Sequence, residues 1–147
     1  MTLDKFTLDD YEEVVDMFYE LNKEFYRDIR TIGCRYFYYK AVMNWINDKK
    51  HIVLCRNKNN DIVGFTMSYI DDVSGLTETI YNGEIAYVKP VHRNTRAAYL
   101  LYNNVASVAK ELKLNLSSNS RVENGVDKMI EKHFTTNKVF SNYERIK

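Results

Sequence analysis

The residues best suited to do chemistry lie between Tyr87 and Tyr102, in the run YVKPVHRNTRAAYLLY. An apolar segment stops at Pro90, passes through Arg93, Asn94, Thr95 and Arg96, and turns at once into a helical pattern. Pro90 cannot donate to a sheet ladder, so it ends a strand. Arg93 to Ala98 would form the first turn of the following helix, whose first amides have no internal partner and where the helix dipole adds partial positive charge. Ala97 and Ala98 are small enough to let another group approach the backbone, and Arg93 and Arg96 add fixed charge. Such a junction can hold a diphosphate. The same residues also fit plain architecture, with Thr95 as a cap and the arginines solvated. A basic helix start on its own favours that second reading.

Other reactive groups form no constellation. His51, His92 and His133 lack metal-ligand spacing, so no metal is expected. Cys34 and Cys55 make neither a CxxC motif nor a disulfide framework, which fits a reducing cytosol. A net charge of +1 provides no overall field for nucleic acid or an acidic membrane. Only the local cluster of Lys89, His92, Arg93 and Arg96 speaks for a nucleic-acid partner, and none is expected. No apolar run approaches the roughly 18 residues of a membrane span. The N-terminal MTLDKFTLDDYEE is acidic and has no signal-peptide core. A cytoplasmic protein is expected.

The elements that must position the junction can be read from spacing. The 147 residues suit one domain, 1–147. A strand is expected around Leu3 to Phe6. Thr7 then caps a helix with Asp10 three residues on, and Val14, Phe18, Leu21 and Phe25 form its apolar stripe. A second helix is expected from Tyr36 to Asn47, with Tyr39, Met43 and Ile46 on one side. The segments HIVLCR (51–56) and Ile62 to Ile70 read as a hairpin around the turn NKNND, with Val63, Phe65, Met67 and Tyr69 alternating. Asn82-Gly83 signals a turn or bulge, and a strand resumes over Glu84 to Val88. Thr95 to Leu112 is the strongest helix, with Ala97, Leu101, Val105, Val108 and Leu112 on one face. A short strand at Leu114 to Ser117, a helix at Asn124 to Lys132 and a strand at Val139 to Ile146 complete the chain. The order β-α-α-β-β-β-α-β-α-β predicts an α/β fold, a mixed sheet with helices on both faces.

The segment Val88 to Ala98 resembles the acetyl-CoA-binding motif of the GNAT family of N-acetyltransferases, V-x-P-x-x-R/Q-x-x-G-x-G/A. Val88, Pro90, Arg93 and Ala98 match it; Arg96 replaces the first Gly. Asp61 to Phe65 (DIVGF) resembles the third strand of that family. Glu131 to Phe134 (EKHF) is similar to its E-K-x-G-F segment, with His133 for Gly. The element order is also similar. The resemblance spans most of the chain and identifies it as a divergent GNAT member.

The resemblance implies an acetyl-CoA-dependent N-acetyltransferase in which an amine attacks the thioester directly. Backbone groups of Ala86, Tyr87 and Val88 would hold the pantetheine arm where the fourth strand splays from the fifth. The amides of Asn94, Thr95, Arg96, Ala97, Ala98 and Tyr99, with Arg93 and Arg96, would hold the diphosphate. Glu84 is the candidate general base. The family commonly supplies a phenol as general acid at the position of Met129, which cannot donate a proton; Tyr143 is the candidate substitute. The region after the first helix lines the acceptor site in that family, so some tyrosines of the RYFYY run (35–39) could contact substrate, although the run itself favours an amphipathic core helix with exposed tyrosine edges. The partners implied are acetyl-CoA and an amine whose identity the residues leave open, as they leave open a homodimer. The alternative is a weakly active or inactive CoA-binding or partner-binding protein on the same scaffold.

Overall fold

The computed structural model describes residues 1–25, 35–46, 50–72 and 78–118. Their order is β1 (Thr2–Lys5), a 3-10 turn (Leu8–Asp10), α1 (Tyr11–Phe25), α2 (Arg35–Met43), β2 (Lys50–Arg56), β3 (Ile62–Asp71), β4 (Ile80–Val88), a second 3-10 turn (Pro90–His92), α3 (Ala97–Glu111) and β5 (Asn115–Ser118). This is the expected β-α-α-β-β-β-α-β. The expected last helix and strand lie outside the described residues. The strands form one sheet in the order β1-β2-β3-β4-β5, antiparallel except between β4 and β5.

Local chemistry explains the hairpin and the entry to α1. In the NKNND turn the Asn57 Oδ1 accepts from the amides of Asn59 (2.9 Å) and Asp61 (3.0 Å), and Asn60 takes the left-handed φ of 70°, which asparagine tolerates. At the start of α1, the amide and hydroxyl of Thr7 both donate to Asp10 Oδ2, at 3.1 and 3.0 Å. The Arg56 guanidinium then ties that carboxylate to β2 at 2.7 Å and Asp4 of β1 at 2.8 Å.

α1 and α2 cover one face of the sheet. Val14, Val15, Met17 and Leu21 pack there with Tyr38, Val42, Phe65, Met67 and Tyr87. α3 covers the other: Ala97 and Leu101 lie on Cys55, Val63 and Val88, while Val105 and Ala109 lie on Tyr81. β3 is therefore buried on both faces from Ile62 to Ser68, and the alternation read from its sequence does not mark a solvent side.

The second helix ends at Met43, earlier than expected, and turns a different side inward. Tyr38 and Val42 are buried, whereas Met43 and Ile46 are about half exposed. The reason is aromatic packing. Tyr38 sits edge-on to Phe18 (5.2 Å) and Tyr19 (5.4 Å), and Tyr39 meets Tyr11 (5.3 Å) and gives its hydroxyl to Glu12. With apolar or aromatic residues on most sides of α2, periodicity alone could not choose a face.

Candidate active site at the β4–α3 junction

The site begins with an irregularity in β4. Asn82-Gly83 does not form a turn before the strand; both residues lie within continuous β4, opposite Tyr69 and Ser68. The register then shifts, because Met67 faces Ile85 while Ser68 faces Gly83. Glu84 is the extra residue, a β-bulge, which bends the strand and re-aims its side chains. The Asn-Gly signal thus marks a real irregularity but not a strand start.

On its other edge β4 pairs with β5 as far as Ser118, the last of the residues described there. Their parallel pairing runs from Ile80–Asn115 to Gly83–Ser118. Beyond it, among the described residues, Glu84–Val88 keeps only β3 as a strand neighbour. Ala86 and Glu84 are exposed on this stretch, whereas Tyr87 and Val88 are buried. A strand edge with unpaired backbone groups can take an extended amide-bearing ligand.

Beside the bulge, Tyr69 of β3 receives a hydrogen bond from Asn82 Nδ2 at 3.1 Å and lies edge-on to Trp45 at 5.6 Å. Burial raises the Tyr69 phenol above its ordinary pKa, and the carboxylates of Glu84 and Asp71 add to the rise. Glu84 thus stands within electrostatic reach of an aromatic and amide wall. That wall was not anticipated from sequence: Asn82 read as part of a turn or bulge signal, and Tyr69 as one of four alternating strand positions.

The junction itself differs from the expected helix start. Arg93–Arg96 do not form the first turn of the long helix; they are a non-helical turn, and α3 begins at Ala97. Thr95 still shapes the end, since its Oγ1 donates to the His92 carbonyl at 2.6 Å and accepts from the Ala97 amide at 3.3 Å. The Thr95 amide bonds the His92 carbonyl at 3.2 Å. Two of the amides expected for a diphosphate, those of Thr95 and Ala97, therefore already have partners. Arg96 occupies the N-cap with φ −77°, a value open to any residue, so its side chain is compatible with the position of a Gly. Its guanidinium lies 5.8 Å from the centroid of the Tyr99 ring.

Arg93 is engaged elsewhere. Nε donates to the Val88 carbonyl at 2.9 Å, Nη2 reaches Glu24 Oε1 and Oε2 at 2.7 and 2.8 Å, and the guanidinium carbon lies 5.6 Å from the centroid of the Tyr87 ring. Lys89 likewise pairs with Glu13 at 2.7 Å. Two cations of the basic cluster are thus balanced by α1 carboxylates, which weakens the case for a nucleic-acid surface. Met129, His133 and Tyr143 lie outside the described residues. No group of residues there, among those described, has the makings of a metal site.

No family model matches the sequence, and no curated protein matches it. Solved structures do. A ribosomal-protein-alanine N-acetyltransferase from Brucella melitensis biovar Abortus superposes with a TM-score of 0.70 at 21% identity, over 99% of this chain and 98% of the other. An aminoglycoside antibiotic 6'-N-acetyltransferase from Acinetobacter haemolyticus gives 0.68 at 15% identity, over 100% of both chains. An aminoglycoside N-acetyltransferase in complex with CoA gives 0.67 at 13% identity, over 99% of this chain and 98% of the other. At these identities the likeness is one of fold, and the fold is that of the GNAT acetyltransferases.

Proposed function

We propose that this protein is a divergent GNAT member that transfers an acetyl group from acetyl-CoA to an amine. The observation that carries the reading is the bulge at Glu84. Among the described residues, the stretch Glu84–Val88 beyond it has β3 alone as a strand neighbour, and that stretch leads directly into the turn and the N-terminus of α3. The backbone of Ala86, Tyr87 and Val88 would hold the pantetheine arm. The amides of Asn94, Arg96 and Ala98, beside the Arg96 guanidinium over Tyr99, would meet the diphosphate.

Acetyl-CoA supplies a thioester that an unprotonated amine can attack. A lysine-like ammonium has a pKa of roughly 10.4 and must lose a proton first. Glu84 is the group to receive it, directly or through water, with Tyr69, Asn82 and Trp45 as the neighbouring wall. An amide near Val88 would polarise the thioester carbonyl. The thiol that leaves has a pKa near ~8.5, so its thiolate needs only modest help from an acid; Tyr143 is our candidate for that role. Support comes from the fold, the bulge and the motif residues Val88, Pro90, Arg93 and Ala98.

The alternative, CoA or partner binding without turnover, draws on the replacements at Arg96 and Met129. Calorimetry with acetyl-CoA and a turnover assay on a panel of small amines, amino acids and peptides separate the two. Acetyl transfer to any of them supports the enzyme. Binding without transfer moves the protein to the alternative, and no heat at millimolar acetyl-CoA sinks both CoA readings.

A further inference from the structure

The arginine of the acetyl-CoA motif is engaged by the end of β4 and by α1. We infer that Arg93 is a positioning residue: its guanidinium straps the C-terminal turn of α1 to the end of β4 and holds the Val88 backbone in place, instead of binding phosphate. This inference rests on the acetyltransferase reading of the site.

Three contacts fix the strap. The Nε to Val88 carbonyl bond (2.9 Å) ties the turn to the last residue of β4. The Nη2 bonds to both Glu24 oxygens (2.7 and 2.8 Å) tie it to α1. The Tyr87 ring, 5% exposed, supplies a flat surface at 5.6 Å for the guanidinium. A guanidinium presents its donors in a rigid fork, so satisfying Val88 and Glu24 together sets its plane. The Glu24 carboxylate also cancels the charge that a phosphate would seek. Arg96, three residues on, has no carboxylate partner among the described residues. The two arginines therefore divide the work, Arg96 facing the anion and Arg93 bracing the strand. The braced residues, Tyr87 and Val88, are those whose backbone would carry the pantetheine arm.

The two roles of Arg93 give opposite results. Arg93→Glu, Glu24→Arg and the charge-swapped double variant are compared with the wild type for melting temperature without ligand and for binding of CoA and of pantetheine. A strap predicts that each single variant melts lower and that the swap recovers part of the loss. The coupling expected for a half-exposed pair is roughly two- to fivefold in the folding equilibrium. It also predicts that the single variants lose affinity for pantetheine, which carries no phosphate, as well as for CoA, and that the swap, which restores the ion pair but not the bond to the Val88 carbonyl, recovers part of both. A phosphate ligand predicts that Arg93→Glu weakens CoA alone, that Glu24→Arg leaves CoA binding equal or tighter, and that the swap rescues nothing. That second pattern overturns the strap, as does additive melting behaviour. If none of the four proteins binds CoA, the acetyltransferase reading fails while the ligand-free melting data still decide the Arg93–Glu24 coupling. Arg93→Lys is the conservative control: it keeps the charge but cannot bond Val88 and Glu24 in one plane, so it behaves as a partial loss.

Discussion

Asp10 and Glu84 are both carboxylates beside strands, and the fold handles them differently. Asp10 is nearly buried. Burial raises its carboxyl, but the Arg56 guanidinium and the two bonds from Thr7 outweigh that, and its pKa ends below the ordinary carboxylate value. A carboxyl depressed on folding contributes its stabilisation fully above the unfolded value of roughly 3.9 and loses it as pH falls through the lower folded value. Asp10→Asn is expected to cost about 1.5–3 kcal/mol at neutral pH and to flatten the fall of stability below about pH 4; denaturant melts between neutral and acid pH check both. Glu84, by contrast, is exposed at the bulge. If it accepts the proton of the acceptor ammonium, Glu84→Gln lowers turnover most at neutral pH and less as pH approaches the amine's own pKa. A pH–rate profile of unchanged shape removes Glu84 from the mechanism.

At the scale of elements, α3 is defined by its two ends. Its N-terminus is set by Thr95 and the turn before it. Its C-terminus is a reversal in which the Leu114 amide bonds the Ala109 carbonyl at 3.0 Å and the Lys113 amide bonds the Lys110 carbonyl at 3.1 Å. Lys113 takes a φ of 57° there, a conformation that suits Gly at the residue after a helix cap. Lys113→Gly is expected to stabilise the protein by about 1 kcal/mol, read as a higher denaturation midpoint with an unchanged slope. The opposite end of α3 depends on Gly64. A Cβ there would stand 2.6 Å from the Tyr87 carbonyl oxygen and 3.2 Å from Leu101 Cδ1, so the absent side chain lets β3, β4 and α3 close on one another. The bulge in β4 reverses the alternation of its side chains: Tyr81 lies under α3, and with one extra residue Ile85 and Tyr87 lie on the α1 side while Val88 lies under α3.

At the scale of the molecule, two helical layers share one central sheet, and β3 belongs to both. We expect the chain to unfold as one unit, with a single transition followed by fluorescence and by circular dichroism alike. Acetyl-CoA should raise its midpoint, since a ligand at a hundredfold excess over Kd stabilises by about 2.7 kcal/mol. Non-coincident transitions would divide the 1–147 domain into parts.

Over the described residues, sequence alone determined the elements and their order, because strand and helix periods, Pro90, the NKNND turn and the Thr7–Asp10 box act over a few residues. It also marked the strand-to-helix junction, through Val88, Pro90, Arg93 and Ala98. What it left undecided depends on contacts between distant segments. Tyr38 and Val42 face inward because α1 offers Phe18 and Tyr19, not because of any spacing in α2. Glu84 becomes a bulge only when β4 is laid against β3. Arg93 meets Glu24 across 69 positions of chain, so its basic charge could be read beforehand but its partner could not. Only the tertiary structure brings such groups together, and it thereby decides which charges are balanced and which remain for a ligand.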